Sequence, residues 1–199
     1  GERLTPIREV QAVTDHLISG GGHPHDQEMM NDPLLTVRNL VKNFQTRKTS
    51  LFGRKLAGEG RAVDDVSFHV AAGEIVVLLG PSGCGKTTTL RCVAGLEQST
   101  AGRISIGRQV MSAPAEGVQV PPRLRNIGMV FQSYALWPHM TVRQNVAYPL
   151  RHRRLPRAEI DRKGDEVLAL VGLDEYAERP VVALSGGQMQ RVALARSLV

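Results

Sequence analysis

At 199 residues, 42% hydrophobic and 22% charged, the chain has the composition of one folded domain with room for a small subdomain, not that of a disordered polypeptide. No run reaches the roughly 18 consecutive apolar residues that cross a bilayer, and residues 1–10 lack the long apolar stretch of a signal peptide. The net charge of +6 reads as a solvated basic surface: the cluster Arg151-His152-Arg153-Arg154 has no interleaved aromatic side chains on which bases could stack, so no nucleic-acid partner is expected. A membrane role is expected only from the surface, through partners.

Residues 1–33 read as a flexible N-terminal extension. Gly20-Gly21-Gly22-His23-Pro24-His25 is a linker pattern, and its two histidines read as linker rather than metal ligands. Met29 or Met30, just before the first strand-like alternation, is the expected natural start.

Residues 34–131 read as a strand-rich core. Leu35, Val37 and Leu40 suggest one strand, and Val66, Phe68 and Val70 another. The continuous apolar run Ile75-Val76-Val77-Leu78-Leu79 has the pattern of a strand buried on both faces. Ile104 and Ile106 mark a hairpin strand, and residues 125–131 a further strand ending at Gln132. Cys84 and Cys92 lie eight positions apart; along a helix that is roughly 12 Å, too far for a disulfide, which fits a reducing compartment.

The period turns helical over residues 132–183. Thr141 and Gln144 have capping-box spacing ahead of 142–147, and Pro149 is expected to close that helix. Pro156 opens a second helix carrying Ile160, Val167, Leu168 and Val171, with Gly172 as its stop. Residues 184–199 begin a third at Ser185.

Two segments carry chemistry. Gly80-Pro81-Ser82-Gly83-Cys84-Gly85-Lys86-Thr87 matches G-x-x-x-x-G-K-[ST], with a strand pattern before it and Leu90, Val93 and Ala94 on one helical face after it. Glycines let backbone N–H groups converge on phosphate oxygens, and the helix N-terminus adds a positive dipole end. Lys86 supplies a full charge and Thr87 a hydroxyl suited to Mg²⁺. Cys84 reads as loop filler, since no histidine lies nearby in sequence to serve as its base. The second segment, Leu184-Ser185-Gly186-Gly187-Gln188-Met189-Gln190-Arg191, sets a good N-cap before two glycines that are poor first-turn helix formers. Met189, Val192 and Ala193 give that helix an apolar face. Such a tip is built to meet an anion.

With these residues the chain resembles the ABC ATPase family. Residues 80–87 look like its Walker A motif, Gln132 like its Q-loop glutamine and residues 184–191 like its signature. The order agrees, with 46 positions from Lys86 to Gln132 and 53 from Gln132 to Ser185. The resemblance implies an α/β P-loop NTPase core with an antiparallel β subdomain and an α-helical subdomain. It implies ATP and Mg²⁺ as cofactors. One ATP is then held by Gly80, Pro81, Ser82, Gly83, Cys84, Gly85, Lys86, Thr87 and Thr88. Leu184, Ser185, Gly186, Gly187 and Gln188 meet the ATP of a second, facing nucleotide-binding subunit. Gln132 is implied as the catalytic residue, sharing the metal with Thr87. Phe44 best matches the adenine-stacking aromatic, with Phe52 its competitor inside residues 45–61, which look like an insertion.

Residues 133–141 resemble the version found in importers of polyamines, iron(III) and sugars. That implies permease subunits, a solute-binding protein and a peripheral place on the cytoplasmic side of the membrane. A soluble relative acting on ribosomes or DNA is the alternative. The family continues into an acidic pair and a switch histidine that the sequence does not contain; the resemblance therefore implies a fold incomplete at its C-terminus, neither stable nor able to turn over ATP alone.

Overall fold

In the computed structural model, residues 11–13, 33–49 and 55–199 are described. The first strand pattern becomes β2 (Leu35–Thr49), paired antiparallel with β3 (Lys55–Val70). Their pairing runs out to Thr49 opposite Lys55, so most of the expected insertion is the far end of a long hairpin. Val37 and Leu40 both face the core although three positions apart. The period-two rule breaks there because Asn39 takes a left-handed conformation (φ 48°) at a register shift, adding a residue to one strand. Ser67 Oγ accepts from the Asn39 N–H at 2.8 Å, and Asp65 Oδ1 from the Asn39 side chain at 2.8 Å.

β5 (Ala101–Ile106) pairs with the other edge of β2, followed by β6 (Gln109–Ala113) and β7 (Val118–Gln119), giving an antiparallel sheet of order β3-β2-β5-β6-β7. One face of this sheet and the helix α1 (Lys86–Ala94) enclose a core of Val37, Leu40, Val63, Val66, Cys84, Cys92, Val93, Ile104 and Met111. Leu90 was expected on the packed face of α1 but is half exposed; Thr89, Cys92, Val93 and Ala94 are its buried residues.

The apolar run at 75–79 behaves differently from the sequence expectation. Only β4 (Ile75–Val77) forms, paired antiparallel with β1 (Gln11–Val13), so three residues of the expected flexible 1–33 segment are strand. The remainder of 1–32, including the His-Pro-His tract and both methionines, lies outside the described residues. Ile75 and Leu79 are 73% and 55% exposed, not buried on two faces. An apolar run becomes a central strand only where elements cover it on both sides.

The chain forms two compact units, residues 1–126 and 127–199. The second is helical: α2 (Val142–His152), α3 (Arg157–Leu170) and α4 (Gly186–Leu198). They enclose Val142, Val146, Leu168, Leu173, Val181, Leu184 and Val192. The Thr141–Gln144 capping box is present with both of its bonds. Pro149 does not end α2, which runs on to His152; packing against α3 and α4 holds the helix through the one bond a proline lacks. Pro156 opens α3 and Gly172, at φ 63°, follows it, as expected.

Residues 125–131 do not form the expected strand. Residues 127–131 carry no regular structure, since no neighbouring strand offers them a ladder among the described residues. Gly128 lies instead so close to Ser197 that an added Cβ would fall 2.7 Å from its carbonyl oxygen.

Candidate functional site

The phosphate loop runs from Gly80 to the start of α1. Two contacts fix its shape. Gly85 sits at φ 104°, and a Cβ there would lie 2.1 Å from the Ala62 carbonyl oxygen on β3. Gly80 would bring a Cβ within 2.7 Å of Cys84 Sγ. Only glycine lets the loop pass this close to the hairpin, and the left-handed Gly83 and Gly85 turn it over. Cys84 anchors the loop from beneath as a member of the core cluster, so it is a buried packing residue, consistent with its reading as filler. Cys84 and Cys92 are both free thiols.

Lys86 folds back over the loop. Its ammonium donates to the Gly80 carbonyl at 2.6 Å and the Pro81 carbonyl at 2.8 Å, with Cys84 Sγ at 3.5 Å. Gly85 provides no side-chain cap to α1. The first-turn amides of a helix have no intrahelical acceptor, so amides, a lysine charge and the helix dipole converge on one place. Ser82 and Thr87 are exposed and Thr88 half-buried. This donor set suits a polyphosphate.

Phe44, in β2 opposite Gly60, is 40% exposed, with Lys42 Nζ 4.7 Å from its ring centroid. A ring held by the hairpin and open on its outer side can stack on a planar ligand. Its competitor Phe52 lies outside the described residues.

In the second unit, Ser185 caps α4 and forms a full capping box with Gln188, a pairing the sequence reading had missed although S-x-x-Q is legible at 185–188. Leu184 is buried beneath the tip while Ser185, Gly186 and Gly187 are exposed. A Cβ on Gly187 would meet nothing within 4 Å. No backbone strain and no described neighbour calls for glycine there, and a glycine costs a helix about 1 kcal/mol relative to alanine.

Gln132 is exposed and opens a tight turn. Tyr134 and Ala135 follow at φ 61° and 49°, left-handed conformations that cost a non-glycine residue on the order of 1 kcal/mol or more each. Three side chains hold this segment, and none was singled out in the sequence. Arg196 of α4 donates to the Ala135 carbonyl at 2.7 Å and the Tyr134 carbonyl at 3.1 Å, its guanidinium 4.9 Å from the Trp137 ring. Burial lowers the Arg196 pKa from its usual value. The fully buried Asn145 of α2 accepts from the Trp137 N–H at 2.9 Å and donates to the Thr141 carbonyl at 3.0 Å. Tyr148 packs on Trp137 with centroids 4.1 Å apart.

Arg125, read from sequence as the start of a strand, is instead buried at the foot of α1. It donates to the Cys92 carbonyl at 2.9 Å, the Val93 carbonyl at 2.7 Å, the Val120 carbonyl at 2.9 Å and the Met111 carbonyl at 3.3 Å. A cation at a helix C-terminus satisfies its last carbonyls and its dipole. Gly95 leaves the space, since a Cβ there would lie 2.5 Å from Arg125 Nε. Nothing in a lone arginine between two loops announces this role.

Two shallow grooves on the polar face of the sheet, about 270 and 340 Å³, share Pro33, Thr36 and Arg38, and no residue of the phosphate loop lines either. Among the described residues no cluster of three or more His, Cys, Asp or Glu side chains is placed to hold a metal, and no helix is long and apolar enough to cross a membrane.

Comparison with known proteins agrees with this geometry. The family model described as "ABC transporter" matches residues 63–199. The trehalose/maltose import ATP-binding protein MalK of Thermococcus litoralis is 55% identical over 145 residues, 73% of this chain and 39% of that protein. The putrescine transport ATP-binding protein PotG of Escherichia coli is 51% identical over 166 residues, 83% of this chain and 39% of its own length. Among solved structures, the ATP-binding cassette MJ0796, in a dimer bound to ADP and Pi, superimposes with a TM-score of 0.67 at 28% identity, covering 82% of this chain and 68% of that one. The cbiO1 protein of Clostridium perfringens gives 0.64 at 28%, covering 84% and 62%. The chain spans about two fifths of the length of these curated relatives. On its matching motifs, fold and relatives, the chain belongs to the ABC transporter family.

Proposed function

We propose that this chain is the ATP-reading part of an importer's nucleotide-binding subunit. The observation that carries the reading is a pair of helix N-termini, α1 and α4, each exposed and led by glycines, one of them with a lysine ammonium bonded across its loop. Residues 34–131 with Phe44 hold ATP: the ring stacks on adenine, the loop amides and Lys86 grip the phosphates, and Thr88 completes the collar. Ser185, Gly186 and Gly187, carried on Leu184 and Gln188, close on the ATP of a second nucleotide-binding subunit. A partner phosphate arriving at Gly187 explains why no side chain stands there. The dimeric state of the MJ0796 cassette supports such a pairing.

Thr87, by its exposed hydroxyl, and Gln132, by its exposed carboxamide, each carry an oxygen of the kind that would hold Mg²⁺, and the ion would supply charge neutralisation at the phosphates. Gln132 is the residue of residues 132–183 that addresses the nucleotide and orients the attacking water.

Permease subunits and a solute-binding protein are the partners this reading calls for, on the cytoplasmic side of the membrane. The relatives support the importer class over a soluble ATPase. Their names span trehalose/maltose, putrescine and sn-glycerol-3-phosphate, as expected of a subunit that reads nucleotide and leaves solute choice to others. The test is titration with a fluorescent ATP analogue. Lys86→Ala is expected to weaken binding roughly 10-fold or more, by loss of a charge-assisted contact; unchanged affinity refutes the assignment.

A further inference from the structure

We infer that Arg196 is a positioning residue, which holds the strained turn after Gln132 in register with the helix that bears the Ser185-Gly186-Gly187 tip. The inference rests on the functional reading above and adds the link between its two nucleotide-facing parts inside the second unit.

The turn needs a restraint. Tyr134 and Ala135 both stand at positive φ, a conformation that a non-glycine pair leaves unless its surroundings fix it. The Ala135 N–H bond to the Ser133 carbonyl at 2.7 Å and the Tyr134 N–H bond to the Phe131 carbonyl at 2.9 Å close the turn locally. The remaining carbonyls of both residues point to Arg196, whose planar fork takes them together at 2.7 and 3.1 Å. A lysine could grasp one. Trp137, beneath the guanidinium, is itself pinned to α2 by Asn145, so the arginine cannot swing away without leaving both carbonyls and the ring.

The same turn also touches the other end of α4. The Tyr134 hydroxyl lies over Gly186, 3.5 Å from where a Cβ would be. Gly186 and Arg196 are ten positions apart, roughly 15 Å along a helix. Tyr134 is thus laid along α4, its hydroxyl near the tip and its carbonyl on Arg196. When α4 shifts, the turn and Gln132 shift with it.

Trp137 is the only tryptophan in the chain and sits against Arg196, so its fluorescence reports the contact. The experiment uses the full-length protein that carries this chain and compares it with its Arg196→Met, Arg196→Lys, and combined Arg196→Met and Ala135→Gly variants. Arg196→Met is expected to lower kcat for ATP roughly 10- to 100-fold, as misplacement of a reacting group does, with KM changed less than about twofold. Acrylamide quenching of Trp137 should rise. Arg196→Lys should fall between. Ala135→Gly, which adopts the left-handed turn without strain, should restore most of the lost kcat in the double variant. An unchanged kcat, unchanged quenching, or no rescue by glycine overturns the inference. Loss of ATP binding in Arg196→Met at unchanged thermal stability overturns it too, because it would give the arginine a direct role. Failure of Lys86→Ala to weaken ATP binding sinks the functional reading instead, and the quenching result stands apart from it.

Discussion

Two glycines of this chain look alike in sequence and do opposite work. Gly85 is required from inside, where its left-handed backbone lies against the Ala62 carbonyl. Gly187 is required by no described neighbour, for a Cβ there meets nothing within 4 Å on a helical backbone. Gly85→Ala is therefore expected to destabilise the first unit by more than about 1 kcal/mol, the cost of strain plus a forced backbone shift, read as a lower urea midpoint. Gly187→Ala should leave stability unchanged or raise it by up to about 1 kcal/mol. It should nonetheless impair nucleotide-dependent pairing of subunits, measured by gel filtration with ATP. A Gly187 variant that is less stable and pairs normally would reverse the assignment. The first pattern was legible from G-x-x-x-x-G-K-[ST]. The Gly186-Gly187 pair was read there too, as a tip built to meet an anion; that Gly85 answers to the Ala62 carbonyl was not, because that depends on what lies across from its Cβ.

At the scale of elements, capping explains where the helices begin. Thr141 and Ser185 each close a capping box, and T-x-x-Q and S-x-x-Q spell both in sequence. Their C-terminal partners are less legible. α1 ends on Gly95 and on a guanidinium that arrives from Arg125, thirty positions on from Gly95 in the sequence. Arg125→Met is expected to cost the first unit ~3 kcal/mol or more, since it strands four buried carbonyl contacts at once. Thr141→Ala should cost the second about 1 kcal/mol. Paired denaturation curves check the ranking, and an Arg125 variant as stable as the Thr141 variant would show that the carbonyls find other donors. Pro149 inside α2 belongs here too. A helix tolerates one missing bond when two neighbours bury its face, and only the packed structure shows that they do.

At the scale of the whole molecule, each unit encloses its own core and leaves large apolar side chains uncovered. The second packs its helices around Val142, Val146, Leu168 and Val192 and leaves Leu170 and Val182 exposed. The first covers one face of its sheet with α1 and leaves Ile75, Val77 and Leu79 of the 75–79 run exposed. Within its core, burial pushes the Cys92 thiol up to about 11 from an ordinary 9.0, with the Lys42 charge opposing. The folded thiol keeps its proton where an unfolded one has released it. The contribution is therefore complete below about pH 9 and declines as pH rises towards about 11. Unfolding curves across that range should show the loss, and Cys92→Ala should flatten it; an equal slope in that variant would assign the effect to another group.

The sequence by itself determined the local patterns of this protein: which loop has the spacing of a phosphate cradle, which helix tip carries serine and glycines, where capping boxes start helices. Those depend on residues within a few positions of one another, so spacing suffices to read them. Tertiary structure alone decided what depends on distant partners. It dissolved the expected strand at 125–131, which found no ladder. It carried the hairpin through the expected insertion to Thr49 and Lys55. It also brought Arg125 onto buried carbonyls roughly thirty positions away, which must be satisfied by whichever donor the fold delivers, and Arg196 onto the carbonyls of the strained turn roughly sixty positions away.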